Sequence, residues 1–214
     1  NITGLGTAVE NDGLMQKVSI ILYKIAFKNI NRVFFQNKEN RQFFIDENIA
    51  TSKHRLIPGS GVNLSHFEVL EYPNDKNIKF LMMSRIMKEK GIEQYLVAAK
   101  NFKDDNIEFH ICGFCEEEYE AELKELEDQG IIKYHGMVRD VRKYIAQTHC
   151  TVHPSYYPEG MSNVLLESAA SGRPLITTDR SGCREIVDDG INGFLVKQKD
   201  SDDLIDKINK CKNV

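Results

Sequence analysis

The sequence lacks three features that would each indicate a particular class of protein. No window approaches the roughly 18 consecutive apolar residues of a transmembrane helix, and the stretch from Val18 to Ile25 is interrupted by Ser19 and Lys24. Positive charge is not in excess, since the net charge is −4 and the pI about 5.9, which argues against a general nucleic-acid binder. The five cysteines are an odd, sparsely spaced set. This argues against a disulfide framework and favours a reducing cytoplasm.

The first 57 residues predict separate pieces of strand and helix. Apolar residues recur at the helix period at Leu14, Val18, Ile21, Leu22, Ile25 and Ala26, with Lys17, Lys24 and Lys28 between them. Residues 14–29 therefore read as an amphipathic helix, which either packs its apolar face on a sheet or lies on a membrane surface. Residues 32–36 and 54–57 are predicted strands and residues 38–47 a predicted helix. These elements are too few to close a domain.

The pattern becomes regular after a turn cluster at residues 58–63. We expect strands near 78–83, 107–112, 131–135, 149–153, 174–178 and 193–196, and helices near 91–101, 116–128, 139–147, 162–171, 183–188 and 201–212. Apolar strands that each precede a helix indicate a parallel sheet covered on both faces, which is the doubly wound α/β class. In such sheets ligands bind outside the carboxyl ends of the strands.

A loop that becomes a helix is predicted within Pro158–Glu167 (Pro-Glu-Gly-Met-Ser-Asn-Val-Leu-Leu-Glu). Ser162 is the expected N-cap, and an apolar-periodic run opens at Asn163. The unpaired N–H groups and the positive dipole end of such a helix suit an anion such as a diphosphate. Glu159 and Glu167 add carboxylates that can bind the hydroxyl groups of sugars on either side of it.

These residues resemble the donor-binding half of the family 4 retaining glycosyltransferases, and most of all its bacterial capsule and lipid-linked oligosaccharide enzymes. Two glutamates separated by seven residues are the hallmark of that family. The elements His153-Pro-Ser, Gly172-Arg-Pro and Asn192-Gly-Phe stand in register with the pair. The resemblance covers nearly the whole chain and implies a GT-B fold of two facing Rossmann-like domains.

The resemblance also implies a division of the chain into domains. Residues 1–57 correspond to the end of the acceptor-side Rossmann-like domain, residues 58–73 to the interdomain hinge, and residues 74–214 to the whole nucleotide-sugar donor domain. We therefore expect a fragment that binds a nucleotide sugar but has little or no transferase activity on its own.

Four residues in the first three loops of the donor region match positions of the family that bind the donor. Arg85 and Lys90, followed by Gly91, match an Arg-x4-Lys-Gly element whose cations hold the donor diphosphate. Spacing alone would favour a solvated basic loop. Gly113 matches a glycine-rich turn beside the nucleotide, and Val138 matches a position whose backbone hydrogen-bonds the nucleobase.

The opening motif supplies the other candidate site residues. By resemblance, Glu167 accepts hydrogen bonds from the ribose hydroxyls and Glu159 contacts the transferred sugar. The donor is also expected to contact Gly160, Met161, Ser162, Asn163 and Val164, with the backbone N–H groups of residues 161–163 facing the distal phosphate and the sugar. The family more often has Phe at position 161 and Pro at position 162, which leaves the identity of the sugar open.

Two other kinds of site are disfavoured by their surroundings. Cys112 and Cys115 have the spacing of a redox motif, but the acidic helix that follows would raise rather than lower a thiol pKa. His149 and His153 share one face of a strand without a matching set of further ligands, so no zinc site is expected.

The resemblance thus implies a hexosyltransferase that takes a sugar from a UDP-linked donor with retention of configuration. The acceptor is expected to be a saccharide or lipid-linked saccharide in surface polysaccharide biosynthesis. We expect no cofactor and no metal, because Arg85, Lys90 and the helix start take the charge of the departing diphosphate. A cytoplasmic location with peripheral contact at the inner face of the membrane suits such an acceptor. A non-catalytic nucleotide-binding module and a nucleotide-sugar epimerase of similar architecture stay open as alternatives.

Overall fold

The computed structural model describes residues 1–6, 9, 13–103, 105–115 and 117–212. The chain forms two compact units. The smaller comprises Asn1–Gly61, Tyr157–Asn163 and Ser181–Glu185, and the larger comprises Val62–Tyr156, Val164–Arg180 and Ile186–Val214. The loop that contains Glu159 therefore belongs to the smaller unit, although the sequence on either side of it belongs to the larger.

The smaller unit is built on a parallel pair of strands. It contains α1 (Leu14–Ala26), β1 (Val33–Phe35), α2 (Lys38–Asp46) and β2 (His54–Leu56). Asn37 caps α2, since its side-chain oxygen accepts a hydrogen bond from the N–H of Asn40 at 2.8 Å. Phe35 and Phe44 form the centre of the core, with ring centroids 4.9 Å apart. The strands and helices predicted in this region are confirmed.

Helix α1 is confirmed as a helix, but it packs with the face opposite to the predicted one. Ile20, Tyr23 and Phe27 pack on the core of the smaller unit, and the Tyr23 ring lies 5.1 Å from that of Phe44. The apolar residues that expose 44% to 77% of their surface are Leu14, Met15, Val18, Ile21, Leu22 and Ile25. The prediction that this face packs on a sheet is wrong, because the aromatic rings of the other face offer more contact area.

The larger unit contains a six-stranded parallel sheet. Its strands are β3 (Ile78–Met83), β4 (Ile107–Cys112), β5 (Ile132–Tyr134), β6 (Cys150–His153), β7 (Leu175–Thr178) and β8 (Gly193–Val196). They lie in the order β5-β4-β3-β6-β7-β8. The strand order reverses between β3 and β6, and the crevice of a doubly wound sheet lies at such a switch point.

Helices cover both faces of this sheet. They are α3 (Ile92–Asn101), α4 (Glu117–Asp128), α5 (Arg142–Gln147), α6 (Asn163–Ala170) and α7 (Ser201–Cys211). Phe80 and Met82 of β3 point into one hydrophobic cluster, whereas Leu81 and Met83 point into another. The expected doubly wound α/β class is confirmed. None of the described helices is both long enough and apolar enough to cross a bilayer.

Two of the predicted helices differ from the observed elements. The helix expected at 183–188 is a single 3-10 turn, Arg184–Ile186. Helix α5 begins at Arg142 instead of near 139, because the carboxylate of Asp140 accepts the N–H of Arg142 at 3.0 Å and forms a turn there. Such local bonds between side chain and backbone compete with helix formation.

Candidate functional site

The loops that follow β3 and β6 touch each other beside the switch point. Gly91, with φ of 80°, ends the 3-10 turn that contains Lys90. A Cβ atom on Gly91 would collide with the carbonyl oxygen of Pro154, just beyond β6. The N–H of Tyr156 also donates to the carbonyl of Glu89 at 2.9 Å. These contacts fix the position of Lys90 at the carboxyl edge of the sheet.

The loop after β4 holds Arg85 in place through its neighbours. A Cβ atom on Gly113 would collide with the carbonyl oxygen of Ser84. On the other side of Arg85, the N–H of Ile86 donates to the carbonyl of Phe114 at 2.8 Å. The backbone of Arg85 is therefore fastened to the β4 loop at both ends, while its side chain lies at the exposed edge.

The loop after β5 is joined to the same edge. The N–H of Gly113 donates to the carbonyl of Gly136 at 2.8 Å, and the Tyr134 hydroxyl donates to the carbonyl of Gly113 at 2.9 Å. The side chain of Val138 packs on the cluster that contains Leu81. Because the Val138 side chain packs on this cluster, a ligand at this position would contact the backbone and not the side chain.

Helix α6 carries a half-buried carboxylate. Its residues Leu165 and Ser168 are buried, and the Thr151 hydroxyl donates to the Ser168 hydroxyl at 2.9 Å, which fastens α6 to β6. Burial raises the pKa of Glu167, and no cation of the larger unit's described residues pairs with it. A carboxylate that loses hydration without gaining a counter-charge is costly, and such groups concentrate at functional sites.

The loop that contains Glu159 is fixed within the smaller unit. The side-chain N–H groups of Asn37 donate to the carbonyls of Glu159 at 3.1 Å and Gly160 at 2.6 Å. A Cβ atom on Gly160 would collide with the carbonyl oxygen of Thr3 and with the side chain of Gln36. Only glycine fits between these neighbours, so the backbone around Glu159 is tightly constrained.

The end of this loop corrects one detail of the sequence analysis. The N–H of Ser162 donates to the carbonyl of Gly182 at 2.8 Å, so in this structure it is not directed at an anion. Ser162 does occupy the predicted position just before α6. A Cβ atom on Gly182 would lie 2.9 Å from the carbonyl oxygen of Gly160. Met161 packs its side chain where a Cβ atom on Gly59 would lie.

The predicted site residues thus fall into two groups. In the larger unit, the backbone contacts above bring the loops of Arg85, Lys90, Gly113 and Val138 to one edge of the sheet. In the smaller unit, Glu159, Gly160, Met161 and Ser162 form a single loop with Asn163. Val164 and Glu167 follow on α6, within the larger unit.

Sequence reasoning missed Asn37 and Gly182, which shape the Glu159 loop. One of the two roles of Asn37 could have been predicted, because an asparagine directly before the helix predicted from residue 38 is a typical N-cap. Its second role joins residues more than a hundred positions apart. No local pattern could have indicated that contact.

Cys112 and Cys115, which have the spacing of a redox motif, lie in the interior of the larger unit. Both are buried, and neither forms a disulfide bond. Burial raises the pKa of Cys112 to about 12, and a thiol that stays protonated is a poor nucleophile. No group of three or more His, Cys, Asp or Glu side chains that could hold a metal ion occurs among the described residues.

A cavity of about 460 Å³ opens at the opposite, amino edge of the sheet. Its lining includes Tyr72, Ile78, Pro174, Ile191 and Phe194. The Tyr72 hydroxyl is already used, since it donates to the carbonyl of His149 at 2.8 Å. This apolar lining does not suit a diphosphate, which favours the carboxyl edge as the site.

Residues 67–213 match the family model described as glycosyl transferases group 1. The chain is 27% identical to the N,N'-diacetylbacillosaminyl-diphospho-undecaprenol alpha-1,3-N-acetylgalactosaminyltransferase of Campylobacter jejuni, over 97% of this chain and 59% of that protein. It is 26% identical to the capsular polysaccharide biosynthesis glycosyltransferase CapM of Staphylococcus aureus, over 94% of this chain and 57% of that one. The chain therefore spans less than two thirds of these relatives.

Solved structures share its fold. Anabaena Alr3699/HepE in complex with UDP superposes with a TM-score of 0.82 at 20% identity, covering 99% of this chain and 61% of that one. TarM superposes with a TM-score of 0.75 at 21% identity, covering 94% of this chain and 40% of that one. The expected GT-B type of Rossmann-like architecture is confirmed.

Proposed function

Because this chain belongs to the glycosyl transferases of group 1, we propose that its larger unit binds a UDP-linked sugar and that the whole protein transfers that sugar with retention. The acceptor in this proposal is a saccharide or lipid-linked saccharide of a surface polysaccharide. Two likenesses support it: HepE was crystallised with UDP, and the Campylobacter relative is named for an undecaprenol-linked acceptor.

The observation that carries the proposal is the half-buried carboxylate of Glu167, with which no cation among the described residues of the larger unit forms an ion pair. It stands on an otherwise apolar stretch with Leu165 and Leu166, and burial raises its pKa. The ribose hydroxyls of a nucleotide would donate to this carboxylate and replace the hydration it has lost. A carboxylate with only a structural role would be expected to have a counter-charge.

The remaining donor contacts follow from the chemistry of each group. Arg85 offers a planar fork and Lys90 a point charge to the diphosphate, and the start of α6 at Asn163 and Val164 adds backbone N–H donors. As the sugar leaves, charge grows on the diphosphate, and these groups stabilise it. No metal is needed in this proposal. Glu159 contacts the transferred sugar, a role that rests on the family resemblance.

Replacing Glu167 with glutamine is expected to weaken UDP binding by about tenfold to a hundredfold. A hydrogen bond to a charged group contributes roughly 1.5–3 kcal/mol, and about 1.4 kcal/mol corresponds to a factor of ten. The same change removes a desolvated charge, so the variant should be at least as stable as the parent. Isothermal titration calorimetry with UDP and thermal unfolding measure the two effects separately.

The matched control is Glu125→Gln, an exposed carboxylate on α4 of the same unit. It should change neither UDP affinity nor stability. Equal affinity of the Glu167→Gln variant and the parent would contradict the proposed role of Glu167. A large loss of stability in that variant would show that the carboxylate serves the fold instead.

The exposed face of α1 supports the further proposal of peripheral contact with an anionic membrane. Six large apolar side chains occupy this face, and Lys17, Lys24 and Lys28 flank it. An apolar face beside lysines suits a surface of anionic lipids, into which the side chains can insert. A lipid-linked acceptor would be presented at such a surface.

Replacing Leu22 with aspartate is expected to reduce binding to phosphatidylglycerol vesicles by about tenfold, because insertion of a leucine side chain contributes roughly 1.5–3 kcal/mol. Cosedimentation with the vesicles measures this. Val97→Asp, at an exposed apolar position of α3, should bind like the parent. Failure of the parent to bind vesicles, or concentration-dependent self-association that Leu22→Asp abolishes, would assign the face to a protein contact instead.

A further inference from the structure

A chain of hydrogen-bonded side chains leads from β4 to the loop after β5. The carboxylate of Glu108 accepts hydrogen bonds from Lys133 Nζ at 2.6 Å and from His110 Nε2 at 3.1 Å. The second imidazole nitrogen of His110, Nδ1, lies 3.0 Å from Nε2 of His135. His135 directly precedes Gly136 and so begins the loop that leads to Val138.

The charge of Glu108 determines which nitrogen of each imidazole carries a proton. Burial would raise the pKa of Glu108, but hydrogen bonds from Lys133, Asn77 and His110 outweigh it and hold the pKa at about 2. The ionised carboxylate can only accept, so His110 donates through Nε2 and keeps a lone pair on Nδ1. His135 must then donate its Nε2–H to His110.

Ring contacts hold the same pair in place. The rings of His110 and His135 stack with centroids 5.2 Å apart, and the His135 ring lies 4.7 Å from that of Tyr144 on α5. His110 is 8% exposed. The first residue of the loop is therefore anchored to β4 by a hydrogen bond and to α5 by stacking.

We propose that His110 and His135 are positioning residues for the loop at 136–138, and that protonation of His110 releases this loop and weakens nucleotide binding in mild acid. This inference rests on the proposed function, in which the Val138 backbone binds the nucleobase. It assigns a role to two histidines that have no part in the donor contacts described above.

The two histidines differ in how they accommodate a proton. A first proton on His135 Nδ1 leaves its Nε2–H donating to His110, so the bond survives. A second proton, on His110 Nδ1, then places two N–H groups against each other, and the bond breaks. Acid therefore breaks this hydrogen bond by protonating the lone pair on His110 Nδ1.

Burial, more than the neighbouring charges, keeps both histidines neutral near pH 7. Burial lowers the pKa of His110, with Glu108 opposing and His135 and Lys133 adding to that effect. Burial also lowers the pKa of His135, with Glu127 opposing and Lys133 and Lys143 adding. Because the folded-state pKa of His110 lies below 6.5, its contribution to stability is complete above pH 6.5 and is lost as the pH falls below it.

The test compares UDP affinity at pH 7.5 and pH 5.5 by calorimetry in the parent and three variants. His135→Phe keeps the ring stack but removes the donor, so at pH 7.5 it should bind UDP about threefold to tenfold more weakly, the value of one hydrogen bond. His110→Asn keeps an acceptor near Nδ1 and cannot titrate. At pH 7.5 this variant should bind UDP more tightly than His135→Phe. Between pH 7.5 and pH 5.5 it should lose about threefold to tenfold less UDP affinity than the parent.

His149→Asn is the matched control. His149 is a buried histidine at the amino edge, and its Nδ1 accepts the Lys79 N–H at 3.1 Å, an acceptor that asparagine retains. The terminal phosphate of UDP titrates at about pH 6, which affects all four proteins equally. The control should therefore follow the parent's pH profile.

The outcomes separate this inference from the function on which it rests. UDP binding with the same pH profile in the parent and His110→Asn would overturn the inference and leave the proposed function intact. Absence of UDP binding in the parent at pH 7.5 would contradict the proposed function. In that case the nitrogen-15 shifts of the imidazoles still test the hydrogen bond between His110 and His135. A neutral His110 that carries its proton on Nδ1 would contradict that bond.

Discussion

Replacing Arg173 with methionine should lower the free energy of unfolding of the larger unit by about 4 kcal/mol, because several buried carbonyls would lose their donors. The Arg173 side chain donates to Ile145 at 2.9 Å and to Glu71 at 2.8 Å. Weaker bonds reach Leu70 and Ala146. Arg173 is 3% exposed, and burial lowers its pKa. The cation is held by these carbonyl oxygens and by the Tyr72 ring, whose centroid lies 5.3 Å from its guanidinium carbon.

Arg142→Met is the matched control for Arg173→Met. Arg142 lies on the surface and pairs with Asp140 at 2.7 Å, and exposed pairs of this kind contribute little to stability. The unfolding free energy of this variant should stay close to that of the parent. Denaturant unfolding followed by hydrogen exchange of the β3 and β4 amides reports on the larger unit. Equal stability of the Arg173→Met and Arg142→Met variants would contradict the role assigned to Arg173.

Replacing Gly113 with alanine should lower the free energy of unfolding of the larger unit by about 3 kcal/mol or more. The added Cβ would collide with the carbonyl oxygen of Ser84, and backbone cannot yield as a flexible side chain can. Overpacking of this kind costs roughly 1–3 kcal/mol, and the positive φ of Gly113 adds about 1–2 kcal/mol. The loops after β3 and β4 would separate, so UDP affinity should fall as well.

Gly130→Ala distinguishes the collision from the backbone conformation. Gly130 has φ of 72°, but a Cβ atom there would meet nothing within 4 Å. The Gly130→Ala variant should therefore lose only about 1 kcal/mol of unfolding free energy, and its UDP affinity should be unchanged. If Gly113→Ala and Gly130→Ala destabilised the protein equally, the close contact between the two loops would not be a source of stability.

The strands of the larger unit could be predicted from the sequence because each is a short apolar run followed by a helix. Buried parallel strands such as β3 and β4 need no polar face, so composition alone marks them. The same local signals failed for α1, whose helix period was readable but whose packed face was not. Ile20 and Tyr23 were less regular in the pattern than Leu22, yet they contact the core. Packing partners far along the chain decided the face.

From the sequence, a site residue could be placed only where its loop directly follows a predicted strand. Arg85, Gly113 and Val138 follow successive strands, and parallel strands bring their ends to one edge. The environment of Glu159 could not be predicted in this way. Its loop is held by Asn37 and belongs to the smaller unit, through contacts that no local pattern records.

The most direct test of the proposed nucleotide site is a titration of the nitrogen-15-labelled chain with UDP, followed by amide chemical shifts. The shifts should change at Gly113, Val138, Val164 and Glu167, at the carboxyl edge of the sheet. The amide chemical shifts of Ile78, Ile191 and Phe194, around the cavity at the amino edge, should not change. Changes confined to that cavity, or no changes at all, would contradict the assignment of the site.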